Sequence, residues 1–487
     1  MKPVDAETVT GAPDPPNYPG RVQVSAERAP TDTRAERARR AAVGLSVLVG
    51  VVLRWVDLGG TTAGFDESFT GVYSHLPLGR VPSALRADDA HPPLDYLVRH
   101  FFGGLGDTVA LRAPSPVYAC AALLVVTWWM WDRGWFGAAV VAVTAVAPFQ
   151  LLYAHQARMY ALAILCGTVV AACADRWQRD ERARWRWIML AALVVGLFDL
   201  AAFLLTAAGL LLVAGRRRDT EAWRWRATVV GGLGAWAVVW GASFLHQAGA
   251  QHSTWIPFTS VSSAGDALDG MASLYSEVTV LVVALLVLGG IWLRRQDRPL
   301  AWSWLALFAV PFGLAVAIGL RSHFLLPRTM APSAWAVPVA FAAVVEQARR
   351  RSTLWAALAV IVVCVVTLPS IEPSVTFQEG SGPAIEALRA RARPGDAVVV
   401  APDYLWPLVT WNLRAPRTSA HVAGLDDPGT FVYVVPGAPF DGRAWVLQPK
   451  VVGYAPRGAS SCGSATPSHG DYALTCIEVP GQGPAGG

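Results

Sequence analysis

Charge is what this chain has least of. Only 15% of its 487 residues are Asp, Glu, Lys or Arg and 54% are hydrophobic, whereas soluble domains carry roughly a quarter charged residues. That balance excludes an ordinary soluble enzyme and leaves a polytopic membrane protein. Lysine is almost missing: Lys2 and Lys450 stand alone among forty basic residues, which with the abundant Ala points to a GC-rich, bacterial coding sequence. The pI near 9.0 would suit a nucleic-acid partner, but the arginines fall in short clusters between apolar runs. They serve orientation in a bilayer instead. No internal repeat is evident, and Gly-rich pieces such as "GGLG" (103–106) lack the strand-to-helix setting of a nucleotide site.

What the chain does have is long apolar runs. Candidate membrane helices lie near 41–58, 112–131, 135–152, 159–174, 226–245, 278–293, 301–319, 329–346 and 353–369. The run 187–214 is too long for one span and too short for two full ones of about 20 residues. Asp199 interrupts it, so it reads as two short helices turning at Phe198–Asp199, for eleven segments in all. With that count the clusters "RAERARR" (34–40), "DRWQRDERARWRW" (175–187), "GRRRDTEAWRWR" (215–226), "RRQDR" (294–298) and "ARRRS" (348–352) share one side, the cytoplasmic one by the positive-inside rule. The same parity makes "HPPLDYLVRHFFGGLG" (91–106) an interfacial helix within an outer loop from about 59 to 111.

The two ends differ in kind. Residues 1–36, rich in Pro, Ala and charge, read as a disordered cytoplasmic tail and not a signal peptide. Residues 37–369 form the membrane domain. From 370 to 487 the composition turns soluble, and "GPAIEALRARA", "GDAVVVAP", "TFVYVV", "RAWVLQP" and "YALTCIEVP" alternate helix with strand, as in a small extracytoplasmic α/β domain. Cys462 and Cys476 fall there. An oxidising exterior suits a disulfide between them; two free thiols are the alternative.

On the outer face the stretch "GFDESFTGVYS" (64–74) places Asp66 and Glu67 side by side next to a membrane, a costly arrangement without partners. All nine histidines fall on or at the edge of this face, with Asp88, Asp89, Asp95, Arg158, Arg321 and Arg328. The ordered stretches "FDES", "DAHPPLDYLVRHFFGGLGDTVALRAPS", "APFQLLYAHQARMYALAIL", "HSTWIP" and "FLLPRTMAPSAWAVPVAFAA" resemble the successive motifs of bacterial protein-O-mannosyltransferase-like enzymes of the GT-C superfamily. The resemblance covers about 40–350 and extends loosely to "RPGDAVVVAPDY". It implies an α-helical GT-C membrane fold and transfer of a sugar from a polyprenyl phosphate to an acceptor hydroxyl with inversion. Asp66 takes the place of the family's catalytic carboxylate and Glu67 that of its second acid. In "YAHQARMY" Arg158 and Tyr160 match, whereas Gln156 replaces an acid and so frees Arg158 for phosphate. Arg328 matches the late arginine, where the family more often has Arg-Tyr.

Elementary chemistry points the same way. A glycosidase needs two carboxylates because an alkoxide leaves badly without a proton. A lipid phosphate leaves as an anion, so arginines such as Arg158 and Arg328 can replace the acid, with forks suited to phosphate oxygens. One carboxylate then suffices as base, and Glu67 beside Asp66 is expected to raise the pKa of the pair. His91, before Pro92 and Pro93, either contacts the phosphate or caps a helix, and Asp89 is placed to hold its imidazole. Arg112 is next in line for phosphate. His155 and His252 read as loop histidines. Trp255 is a candidate cover for the donor sugar, while most other Trp fit interfacial belts. Asp66, Glu67, Asp89 and His91 could hold a divalent ion, but no Asp-x-Asp spacing appears and a single donor phosphate favours chemistry without metal or other cofactor. The partners expected are the lipid donor and a protein, glycan or lipid acceptor, not nucleic acid. A lipid-linked sugar flippase, or a non-catalytic envelope-binding protein, are the rival readings.

Overall fold

The computed structural model describes residues 33–89, 91–180, 182–215, 220–250, 258–273, 278–376, 380–423, 425, 427–456, 459–462 and 471–479. The elements used below are the helices α1 (Thr33–Trp55), α2 (Phe65–Ser74), α3 (Leu94–Arg99), α4 (Pro114–Met130), α5 (Gly134–Ala145), α6 (Tyr160–Asp180), α7 (Ala183–Leu197), α8 (Phe203–Gly215), α9 (Thr279–Gln296), α10 (Ala336–Arg351), α11 (Thr353–Thr367) and α12 (Trp406–Asn412). The protein is mostly helical, with several helices long and apolar enough to cross a membrane, and carries a small C-terminal sheet domain.

Among the described residues six helices are long and apolar enough to cross a membrane, or seven if the pair Pro327–Ser333 and Ala336–Arg351, bent by 69°, is one span. The expected count of eleven is not met by that measure, for local reasons. α1 carries Arg39, Arg40 and Arg54, and α7 and α8 have 15 and 13 residues. The apolar stretch Thr108–Ala145 spans 38 residues, about twice a bilayer crossing, and breaks at Trp131–Arg133 into α4 and α5, which pack on each other. The run around Asp199 divides as read, α7 ending at Leu197 and α8 starting at Phe203.

Small residues set the close approaches. A Cβ on Gly167 of α6 would lie 1.9 Å from the carbonyl oxygen of Pro332, so only glycine lets that helix pass the late Pro-containing turn. Arg54, fully buried, donates to the carbonyls of Gly50, Thr144 and Ala145, satisfying the C-terminal end of α5.

The arginine clusters meet at one end of the bundle. Arg39 donates to the Trp131 carbonyl at 3.0 Å; Arg133 reaches Asp175 and Asp297; Arg350 donates to Gln296 at 2.8 Å; and Trp225 lies 6.1 Å from Trp177. At the other end sits the C-terminal domain. Its sheet has the order β2-β1-β3-β5-β4, with β1 (Ala397–Val400), β2 (Phe431–Val434), β3 (Arg443–Pro449), β4 (Ser460–Ser461) and β5 (Tyr472–Glu478). β1 and β3 are parallel, the other pairs antiparallel. The four strands read from the sequence are β1, β2, β3 and β5, and Cys462 and Cys476 form a disulfide.

Residues 91–106 depart from the expected interfacial helix. Only α3 is helical there, and Asp95, Tyr96 and Arg99 on it are buried. Arg99 pairs with Asp95 at 2.7 Å and donates to Ser115 Oγ and the Arg158 carbonyl. Charges that a surface helix would present to water are spent here on tying loops together.

Candidate active site

α2 opens with the sequence's acidic pair. Its first turn holds both Asp66 and Glu67, and consecutive helical residues point roughly 100° apart. The two carboxylates therefore face different surroundings.

Asp66 stays partly open to solvent, its side chain 36% exposed. Its Oδ2 lies 3.3 Å from Arg328 Nη1 and 4.0 Å from Arg158 Nε. Arg158 is held from behind: Nη1 donates to Thr70 Oγ1 at 2.9 Å and to the Asp66 carbonyl at 3.2 Å. Its Nε is buried and makes no hydrogen bond among the described residues. Withdrawal from water raises the Asp66 carboxyl, but the charges of Arg158 and Arg328 outweigh it and hold it below its ordinary value. This reverses the expectation of a raised pair, because arginines and not the neighbouring acid dominate the field at Asp66.

Glu67 turns inward. It takes both forks of Arg112, at 2.8 and 2.6 Å, and accepts the Ala157 N–H at 2.7 Å. The pair is buried on both sides. Glu67 thus clamps the 155–159 loop that carries Arg158, with Arg112 as its buried partner. Neither role was legible locally, since Arg112 lies 45 residues away and Ala157 90.

His91 stands within electrostatic reach of Asp66, Arg158, Arg328 and Asp89. Burial lowers its imidazole, and the two arginines push the same way, so the ring is neutral at pH 7. Asp89 is taken by another residue: its Oδ2 accepts from the Tyr96 hydroxyl, and Tyr73 does the same for Asp88 at 2.8 Å. These tyrosines, with Thr70 and Arg99, carried no sequence signal beyond their place in the outer loop. Tyr160 is buried with its ring 4.6 Å from Tyr153, close enough to act on the charge of Arg328 and Arg158. His155 is pinned between the Leu151 and Val56 carbonyls. Trp255 and His252 lie outside the described residues.

The C-terminal domain braces the back of α2. Asn412, ending α12, donates to the Ala63 carbonyl and to Ser68 Oγ, each at 3.0 Å. Arg417 donates to the Val72 carbonyl at 2.8 Å. The Trp411 ring lies where a Cβ on Gly71 would come within 2.5 Å, so glycine at 71 is required for this contact. Tyr404 meets Phe65 edge-on, centroids 6.0 Å apart. α2 is therefore held between the helical bundle and the C-terminal domain.

Among the described residues no group of three or more His, Cys, Asp or Glu stands together. No protein-family model and no curated protein matches the chain. Its backbone is similar to solved structures of ArnT from Cupriavidus metallidurans. The apo form matches with a TM-score of 0.56 and 15% identity, over 90% of this chain and 98% of that one. The form bound to undecaprenyl phosphate matches with 0.55 and 15%, over 91% and 98%. Similarity at that level, over nearly the whole of both chains, is one of fold, an ArnT-like fold of the GT-C type that the sequence resemblance implied.

Proposed function

We propose that this protein is a membrane glycosyltransferase that moves a sugar, a hexose or pentose with mannose among the candidates, from a polyprenyl-phosphate donor to an acceptor hydroxyl on the extracytoplasmic face. The observation that carries the reading is a half-exposed Asp66 facing two arginines. The similarity to a structure bound to undecaprenyl phosphate supports the class of donor.

In this mechanism Arg158 and Arg328 take the donor phosphate, and neutral His91 adds a contact to it. As phosphate draws the guanidinium groups, Asp66 loses the partners that hold it ionised, and its affinity for a proton rises toward the working pH. The acceptor hydroxyl gives its proton to Asp66 while its oxygen bonds to the anomeric carbon. The carbon–oxygen bond to phosphate breaks on the opposite face, so configuration inverts and the phosphate leaves as an anion. No metal is needed for that step, since the two arginines supply the counter-charge.

Purified protein incubated with a polyprenyl-phosphate sugar and a hydroxyl acceptor should release the lipid phosphate and yield the opposite anomer. Translocation without cleavage would support a flippase, and donor binding without turnover a binding protein. The positive-inside rule supports an extracytoplasmic position for this end, opposite the arginine clusters. After removal of the native cysteines, Ser83→Cys should react with an impermeant thiol reagent in intact cells, and Gln296→Cys only after lysis. The reverse pattern would put Asp66 in the cytoplasm and remove the case for a lipid donor.

A further inference from the structure

The end of the bundle away from Asp66 carries a cavity that the proposed reaction does not use. α6 connects the two ends: Tyr160 opens it next to Arg158, and after 21 residues in all it stops at Asp180, about 30 Å on at 1.5 Å per residue. There the last turns of α4 and α6 and the first two turns of α7 border an open cavity of about 540 Å³.

Its polar wall is cationic in excess. Three arginines, Arg176, Arg182 and Arg184, line it against Asp132 and Asp180. Asp180 is occupied, accepting from Trp185 Nε1 at 2.7 Å and from the Arg182 backbone at 3.3 Å, and it pairs loosely with the Arg182 guanidinium at 3.7 Å. Asp132 pairs with Arg176 at 3.5 Å. Arg184 lies over the Trp185 ring at 4.3 Å, and among the described residues no carboxylate lies within ion-pair distance of it. Arg176 lies over Trp128 at 5.1 Å, and its Nε is buried without a hydrogen-bond partner among the described residues. α7 starts here without a side-chain cap, and its N-terminal N–H groups add positive potential.

The membrane side of the same cavity is apolar. Trp128 and Ile188 line it and remain exposed. Leu124 and Val117, one and three turns deeper on α4, and Val195, two turns deeper on α7, continue exposed apolar tracks from it. A free anion would cover none of that surface. A lipid covers both parts.

We propose that this cavity holds the phosphate headgroup of an anionic phospholipid from the leaflet opposite Asp66, with an acyl chain along the Leu124–Trp128 and Ile188–Val195 tracks. The inference rests on the membrane fold and not on the sugar-transfer reading.

Native mass spectrometry of the full chain with phosphatidylglycerol and phosphatidylcholine tests it. Phosphatidylglycerol should be retained in preference. Arg182 and Arg184 are both exposed, so R182Q and R184Q leave folding intact, checked by an unchanged unfolding temperature. Each should weaken retention about fivefold, and the double variant about twenty-five-fold. Arg351→Gln, an exposed arginine at the same end but outside the cavity, should change nothing. Equal retention of the two lipids, equal loss with R351Q, or displacement of phosphatidylglycerol by millimolar inorganic phosphate would each overturn the proposal.

Discussion

Two clusters of acid and arginine sit at opposite ends of α6, and they are built differently. At the arginine-rich end Asp175 is fully buried, accepts from Trp129 Nε1 at 2.9 Å, and pairs with Arg133 and Arg179. Arg179 in turn reaches Asp297, which also faces Arg133. At the other end Asp66 lies 3.3 Å from Arg328 and 4.0 Å from Arg158, and its side chain stays partly open to water. A closed cluster has used its hydrogen-bonding capacity on itself and can only hold helices together. An open one keeps donors and a base available to a substrate. Glu67 shows that the distinction is not one of side: it lies one residue from Asp66 yet is saturated like Asp175.

The comparison is broken most sharply at Asp66. Asp66→Asn should lower turnover by about 10²–10⁴-fold, the usual worth of a general base, with donor affinity and unfolding temperature little changed, since a half-exposed pair of this kind contributes about 0–1 kcal/mol. Near-normal turnover would remove Asp66 from the chemistry. Because the arginines lower its pKa, the acid limb of kcat/KM in the wild type should fall below the ordinary carboxylate range. The limb of kcat should lie higher, once donor phosphate has engaged Arg158 and Arg328. Coincident limbs would mean that the phosphate binds elsewhere.

Arg158→Lys and Arg328→Lys come next. Charge is kept but the planar fork is lost, and donor affinity should fall on the order of tenfold or more together with rate. Normal donor binding in both variants would place the phosphate site away from Asp66.

Glu67→Ala and Asp175→Asn sharpen the contrast with smaller changes in rate and larger ones in stability. Glu67→Ala strips buried Arg112 of its partner, at a cost of about 3–5 kcal/mol in unfolding experiments, whereas Asp175→Asn leaves Arg133 and Arg179 their contacts to Asp297 and should cost less. Only Glu67→Ala should also lower turnover per folded molecule, because it frees the loop that carries Arg158. Equal turnover in the two variants would reduce Glu67 to a purely structural residue.

Much of this molecule follows from the chain alone, because hydropathy and period are local properties. Apolar runs, the turn at Phe198–Asp199, the four strands of the tail and the grouping of the arginine clusters are each decided within a few residues, since a backbone in lipid must satisfy its own hydrogen bonds and charge must stay out of the bilayer. The same information singled out Asp66, Arg158 and Arg328. What the chain could not decide was which of two adjacent acids faces Arg158 and Arg328. That depends on Arg112 and Ala157, 45 and 90 residues from Glu67, and on Asn412 and Trp411, more than 300 residues beyond α2, bracing its back. It was the packing of these distant groups that turned Glu67 into a clamp, lowered the pKa of Asp66 instead of raising it, and gave Asp89 to Tyr96 and not to His91. A carboxylate's role is set by the partners within about 4 Å of it, and those partners are chosen by tertiary structure.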